Sequence, residues 1–499
     1  MTNYYGMITV RNIFRTAFKL FRIQNKVLNS AIKYNSITMK YLLMVNMLLI
    51  LTGCATFYQR TAEVQTQIAS GDFEQANRSL ERNRRWAESN NHRVLFYMNR
   101  GLVLFMMGEH EESNRYFDKA DFYIEDYRKN LATEALVLVS NPMARPYPPE
   151  DFESIMIHYY KALNFIALNN YEGALVEARR VNIRLQEIND QYRNHKNRYA
   201  RDAFAHNLMG LIYQASGDYN NAFIAYRNAL EIYETDYTEL FHLGPPLQLK
   251  KDLLYSASRI GFRNEVRYYE EKFGIKTPEP TRENGDLVYI WMNGLGPVKS
   301  EWSLNLTNMG TRNGMMIFGS DELGVTFPIY LGNQSSQQRA SLSNLSIIRV
   351  AFPKYVERPP LYHEASLLFQ GERHRLEMAQ NINRIAFQSL QDRMLREVGN
   401  NIMRLAAKQI MERTARNENR NLGALVSIIN AITERADTRN WQSLPYSLSY
   451  TRVSLPAGEN ELVLEQHRVG GGVSSENVSV NIQPGDTSFR VFHQLGTRP

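Results

Sequence analysis

The sequence predicts a multidomain α + β protein: an N-terminal α-α repeat superhelix followed by a β-sandwich-like domain with an inserted helical hairpin. Three observations carry this. Before Thr277 apolar and small residues recur at helical spacing, among many Tyr, Ala, Leu and Arg. After "KTPEPTRENGD", whose two prolines and glycine mark a linker at 277–284, the chain turns to strand-like runs closed by Gly and Pro. Within that half, about 376–436, the spacing returns to three and four.

The elements follow in order from the N-terminus. The only cysteine of 499 residues is Cys54, at the end of the short apolar run Tyr41–Leu51 behind Met39 and Lys40. A basic flank, a short apolar stretch and small residues at the cut are the layout of a secretory signal. The run is broken by Asn46, Thr52 and Gly53 and is too short for a membrane span. Leu51-Thr52-Gly53-Cys54 resembles the lipobox of bacterial lipoproteins, which implies cleavage between Gly53 and Cys54 and acylation of the Cys54 thiol. Residues 39–53 then form the signal, and 1–38 read as a mis-assigned start, or else as a basic amphipathic extension lying on the inner membrane surface. Ala55, rather than Asp, after the cysteine resembles an outer-membrane address, with the protein facing the periplasm.

The formal charge of +7 resides in the leader. Residues 1–53 hold seven basic and no acidic residues, so 58 − 7 = 51 Lys and Arg face 51 Asp and Glu in the remainder. A neutral mature chain lacks the field for counterion-release binding, which argues against a nucleic-acid partner.

Residues 54–276 carry the repeats. "NLMGLIYQASGDYNNAFIAYRNALEIY" resembles the tetratricopeptide consensus through Gly210, Tyr213, Gly217, Tyr219, Ala222, Tyr226 and Ala229. Further copies place Gly101, Gly108, Phe117 and Ala120, then Ala162, Phe165, Tyr171, Ala174 and Ala178, with degenerate outer copies around Gly71, Ala76 and Gly261. Gly101, Ala162 and Gly210 with Ala120, Ala174, Ala222 and Ala229 are the expected close-packing positions, and Gly71, Gly108, Asn169, Gly217 and Gly261 the turns. Tyr159, Tyr160, Tyr213 and Tyr226 are expected in the core. The irregular turn spacing predicts a long second helix after Tyr171 and an excursion, "VSNPMARPYPPEDF", that leaves the stack. Such irregularity argues against assuming a consensus peptide groove.

In the β-rich half, 285–499, "DLVYIWMNGLGPVKSE", "VTFPIYLG" and "LSIIRVAFPKYVERPP" read as strands with proline at sheet edges. "YSLSYTRVSLPAGENELVLEQH" and "VSVNIQPGDTSFRVFHQL" read as two strand pairs around the tight turns at Gly458 and Gly485. The inserted hairpin is a helix from Asn383 to Arg416 and a second from Leu422 to Ala436. Its apolar stripe, including Val398, Ile402, Leu405 and Ile410, packs on the sandwich or on the second helix of the hairpin, or else forms a self-association or partner-docking surface.

Lipobox, degenerate repeats, "NGLGPVK" at Asn293–Lys299 and "ADTRNWQSLP" at Ala436–Pro445 together resemble a family of bacterial tetratricopeptide-repeat lipoproteins without a settled activity. The two motifs read locally as a β-turn and a structured return to the sheet. The sequence holds no HExxH, no GxSxG and no GxxxxGK[ST], and "YHEASLLF" lacks a second histidine at the helical step. The expectation is therefore a non-catalytic, lipid-anchored scaffold binding an envelope protein through its repeats, in envelope or peptidoglycan assembly, with no cofactor, no metal and no small-molecule substrate. The alternative is an envelope hydrolase acting on peptidoglycan or glycan, its site at the repeat/sandwich junction.

Overall fold

The computed structural model describes residues 57–131, 145–191, 198–279, 283–320, 325–330, 336–343, 347–394 and 436–497. Its first half is a succession of helix pairs. These are α1 (Phe57–Ala69) with α2 (Phe73–Arg82), α4 (Arg93–Met106) with α5 (His110–Leu131), α6 (Asp151–Ala167) with α7 (Tyr171–Gln191), α8 (Ala203–Ala215) with α9 (Tyr219–Ile232), and α11 (Leu247–Arg259) with α12 (Arg263–Phe273). A short α3 (Arg84–Ala87), a π-helical turn (Tyr233–Tyr237) and α10 (Thr238–Phe241) fill the connections.

One local device makes every turn. Gly71, Gly108, Asn169, Gly217 and Gly261 all take positive φ, from 55° to 80°, which ends the first helix. In three of the pairs the next residue caps the second helix: Asp72 accepts from the Gln75 N–H at 3.0 Å, Asn170 from Gly173 at 2.9 Å and Asp218 from Asn221 at 3.1 Å. Where the paired helices cross, a Cβ on Gly101 would lie 2.7 Å from Phe117 Cε1, and one on Gly210 would lie 2.3 Å from Tyr226 Cε1. Ala120, Ala162, Ala174, Ala222 and Ala229 are fully buried at the same crossings, as are Tyr159, Tyr160 and Tyr226, whereas Tyr213 is half-exposed. Helix α7 runs for 21 residues against 14 in α9. The described end of the proline-rich excursion does not stay outside the stack: Tyr147 is 1% exposed and Glu150 2%.

Among the described residues, the second half contains three four-stranded sheets. Its strands are β1 (Asn284–Asn293), β2 (Val298–Arg312), β3 (Met315–Ser320), β4 (Val325–Tyr330), β5 (Ile347–Val356), β6 (Tyr362–Phe369), β7 (Glu372–Arg375), β8 (Glu377–Asn381), β9 (Ser447–Pro456), β10 (Gly458–Arg468), β11 (Val473–Ile482) and β12 (Thr487–Gln494). Sheets β12-β1-β9-β8 and β11-β10-β6-β7 form the sandwich. Leu287, Tyr289, Trp291, Val453 and Leu455 of the first meet Ala365, Leu367, Leu462, Leu464 and Ile482 of the second in one core. The third sheet, β4-β3-β2-β5, carries Pro328 and Pro353 on its two edge strands, where a missing N–H breaks no ladder.

The two expected strand pairs are corrected. Strand β9 pairs with β1 and β8, and β10 with β11 and β6, so the Gly458 turn carries the chain between sheets. The Gly485 turn does the same, because β12 runs parallel to β1. The true hairpin joins β10 to β11 through Gly470, Gly471 and Gly472, all at positive φ. The expected helical insertion also starts later than residue 376: β8 occupies Glu377–Asn381 and helix follows at 382–394. Val398, Ile402, Leu405, Ile410 and the hairpin's remainder to residue 435 lie outside the described residues, as do Gly53 and Cys54.

Candidate functional site

Helices α4, α6, α8 and α11 are the first of their pairs, and each commits one buried polar side chain to the β-rich half. Asn99 accepts from Ser443 Oγ at 2.7 Å, and Glu153 from the Trp441 N–H at 2.6 Å. Asn207 accepts from Tyr450 OH at 3.3 Å, and Asp252 from Arg452 Nε at 2.9 Å. The π turn adds two more bonds, from Tyr233 OH to the Ala379 carbonyl at 2.6 Å and from Tyr237 OH to Gln380 Oε1 at 2.7 Å. Helix α6 shows the result most fully, since fourteen of its seventeen residues are buried. The inner face of the repeats is occupied by the chain itself.

The centre of this junction is ionic. Glu150 and Glu153 form a capping box at the start of α6, with the Glu150 N–H donating to Glu153 Oε2 at 2.9 Å. Glu150 pairs with Lys299 and with Arg393 of the 382–394 helix, and Tyr147 OH donates to Glu153. Burial alone would raise the Glu150 carboxyl, but the Arg393 and Lys299 charges outweigh it and hold it below its ordinary range. For Glu153, burial and the adjacent Glu150 charge win, pushing it up to about 7.

The motifs "NGLGPVK" and "ADTRNWQSLP" meet here. Asn440 Oδ1 accepts from the Lys299 N–H at 3.1 Å, and its Nδ2 donates to the Pro297 carbonyl at 2.8 Å. Arg439, fully buried, pairs with Asp437 at 2.6 Å and donates to the Asn91 carbonyl at 2.6 Å and the Arg145 carbonyl at 3.1 Å. Trp441 packs its ring near Phe117 and Tyr160 of the repeats. Both motifs are turns or connections, as their local sequence implies, and they also clamp the two halves together. Sequence reading missed Glu150, Glu153, Tyr147 and Arg393 in this role. The only local signal was the E-x-x-E spacing at a helix start.

A second polar group sits beside the junction. Arg452 Nη1 reaches Asp286 Oδ2 at 3.0 Å while its Nε holds Asp252, forming a carboxylate–guanidinium–carboxylate array across α11, β9 and β1. It lies on a cavity of about 580 Å³ between α11 and the sandwich. Neither Glu150 nor Glu153 lines that cavity. Among the described residues, no group of three or more His, Cys, Asp and Glu is arranged to hold a metal ion. No helix among them is long and apolar enough to cross a membrane.

These helix pairs define a tetratricopeptide-repeat-containing protein with a β-rich C-terminal region. The tetratricopeptide repeat family profile matches residues 205–236, from α8 through α9 into the π turn. No curated protein matches the chain in sequence. Similar solved structures include MamA, 16% identical over 44% of this chain and 96% of that one, with a TM-score of 0.27. Others are the apo form of RapI, 15% identical over 46% and 56% (TM-score 0.33), and BtubC from P. vanneervenii, 16% identical over 45% and 83% (TM-score 0.29).

Proposed function

We propose that the chain is a lipid-anchored scaffold of the bacterial cell envelope, held at the outer membrane by acyl chains on Cys54 and facing the periplasm. Its repeats hold a protein partner, in a role within envelope or peptidoglycan assembly. The lipobox-like Leu51–Cys54 and the single cysteine support the anchor. One observation carries the mode of binding: the first helices are bonded to the β-rich half, whereas the second helices keep exposed apolar side chains. Phe122 on α5 is 66% exposed, Ile183 on α7 55%, Ile224 on α9 38% and Tyr268 on α12 56%. A partner therefore docks on the outer, second-helix face, while the sandwich fills the inner one.

Two experiments test this. Cys54→Ser should abolish labelling by a radioactive fatty acid and release the protein from the outer-membrane fraction; undiminished label sinks the anchor. A photo-crosslinking residue at Phe122 or Tyr268 should capture a discrete protein in cells, whereas the same residue at Asn207 should yield only crosslinks within the chain. Capture at Asn207 alone would overturn the outer-face reading.

A further inference from the structure

We propose that the cavity between the last repeat and the sandwich binds a neutral polyhydroxylated ligand, a sugar unit or pair of units, with Asp252 as its principal acceptor. The proposal is independent of the scaffold reading. Asp252 is 2% exposed. Its Oδ1 accepts from Arg452 Nε and from Gln248 Nε2, both at 2.9 Å, but among the described residues no group donates to its Oδ2. Arg452 Nη2, on the same ion pair, is likewise a buried donor without an acceptor among the described residues, and both residues line the cavity. Buried polar groups are almost always satisfied, so an orphan acceptor and an orphan donor at one wall mark a position for an outside hydroxyl.

Charge decides what kind of donor. Arg452 already lies between Asp252 and Asp286, and Lys251 stands on the same wall. The cavity wall is mixed in sign, with Lys251, Arg259 and Arg452 beside Asp252, Asp286, Glu279 and Asp486, so an ammonium would face the basic groups and a carboxylate or phosphate the acidic ones. A hydroxyl meets neither penalty, because it donates to Oδ2 and can accept from Lys251. Tyr219 and Tyr255 supply an aromatic wall, their ring centroids 6.0 Å apart and their planes at 66°, against which the C–H face of a sugar ring can lie. The volume, about 580 Å³, falls within the range of small-molecule sites.

The test titrates the full chain, in a detergent without a sugar headgroup, with chitobiose and with maltose, followed by saturation-transfer NMR. A parallel titration uses 1,4-diaminobutane, and retention on chitin beads separates a polymer ligand from a free one. At least one saccharide should bind. Asp252→Asn, which puts an amide N–H where the orphan acceptor stood, should weaken binding about tenfold or more. Lys251→Ala, at an exposed position, should weaken it several-fold with an unchanged melting temperature, which guards against misfolding of the first variant. Binding of neither saccharide, saccharide binding that both variants leave intact, or binding of the diamine alone would overturn the proposal.

Discussion

The two faces of the repeat stack are built from the same helix pairs and treated oppositely. First helices bury polar and charged groups such as Asn99, Glu153, Asn207 and Asp252 against the β-rich half. Second helices leave Phe122, Ile183, Ile224 and Tyr268 to solvent. A repeat array is a surface generator, and here one of its surfaces has been taken up internally. The two faces differ in what covers them, not in the helix pairs that build them.

The comparison can be broken most severely at the inner face. Arg439→Ala removes a fully buried guanidinium and leaves Asp437 without its pair and the Asn91 and Arg145 carbonyls without their donor. Orphaning a buried charge of this kind costs about 3–5 kcal/mol. Denaturant unfolding should show that loss, and limited proteolysis should then cut between the halves. Next comes a change within one pair: Gly210→Ala forces a Cβ against Tyr226 and should cost about 1–3 kcal/mol by overpacking, without new cleavage near 277–284.

A third test uses protons. The Glu153 carboxyl is raised by burial and by Glu150 from 4.5 to about 7, so between those values the folded state holds a proton that the unfolded state has lost. Stability should therefore decline as pH rises from about 4.5 to about 7 through this group, and Glu153→Gln should flatten that decline in melting temperature. Glu150 and Asp437 are held low by their basic partners, so their stabilisation is present above the ordinary carboxyl range and is lost on acidification below it. The smallest effect belongs to the outer face. Phe122→Ser and Tyr268→Ser should change stability by less than about 0.5 kcal/mol while abolishing partner crosslinking.

How far each region could be read from sequence follows from the range of its interactions. The turns at Gly71, Gly108, Asn169, Gly217 and Gly261 are local events, and their residue types announce them. The sheet pairings are not local. A glycine turn at Gly458 looks the same whether the next strand folds back beside its predecessor or crosses to the other sheet, and only the partners β1 and β6 distinguish the two. Strand β8 was hidden because it is five residues long, has only Met378 and Ala379 as apolar residues, and abuts the helix at 382–394 directly. The junction ions were hidden for a similar reason. Lys299 and Trp441 meet their carboxylates 149 and 288 positions away, and nothing beside them in the chain shows that they are buried.

The parallel pairing of β12 with β1 joins Asp286 to Thr487, 201 positions apart. A strand pair so distant must close a very long loop before it gains any hydrogen bond, whereas each helix pair closes over a turn of a few residues. The chain emerging from a ribosome or a translocation pore can thus complete its helix pairs while β1 still waits for the last strand to arrive. The inner face of the repeats then exists before its occupant does. It offers Asn99, Glu153, Asn207 and Asp252 as a preformed row of acceptors along which a late-folding sandwich can set its register, and pulsed hydrogen exchange during refolding should protect α8 and α9 well before β1 and β12.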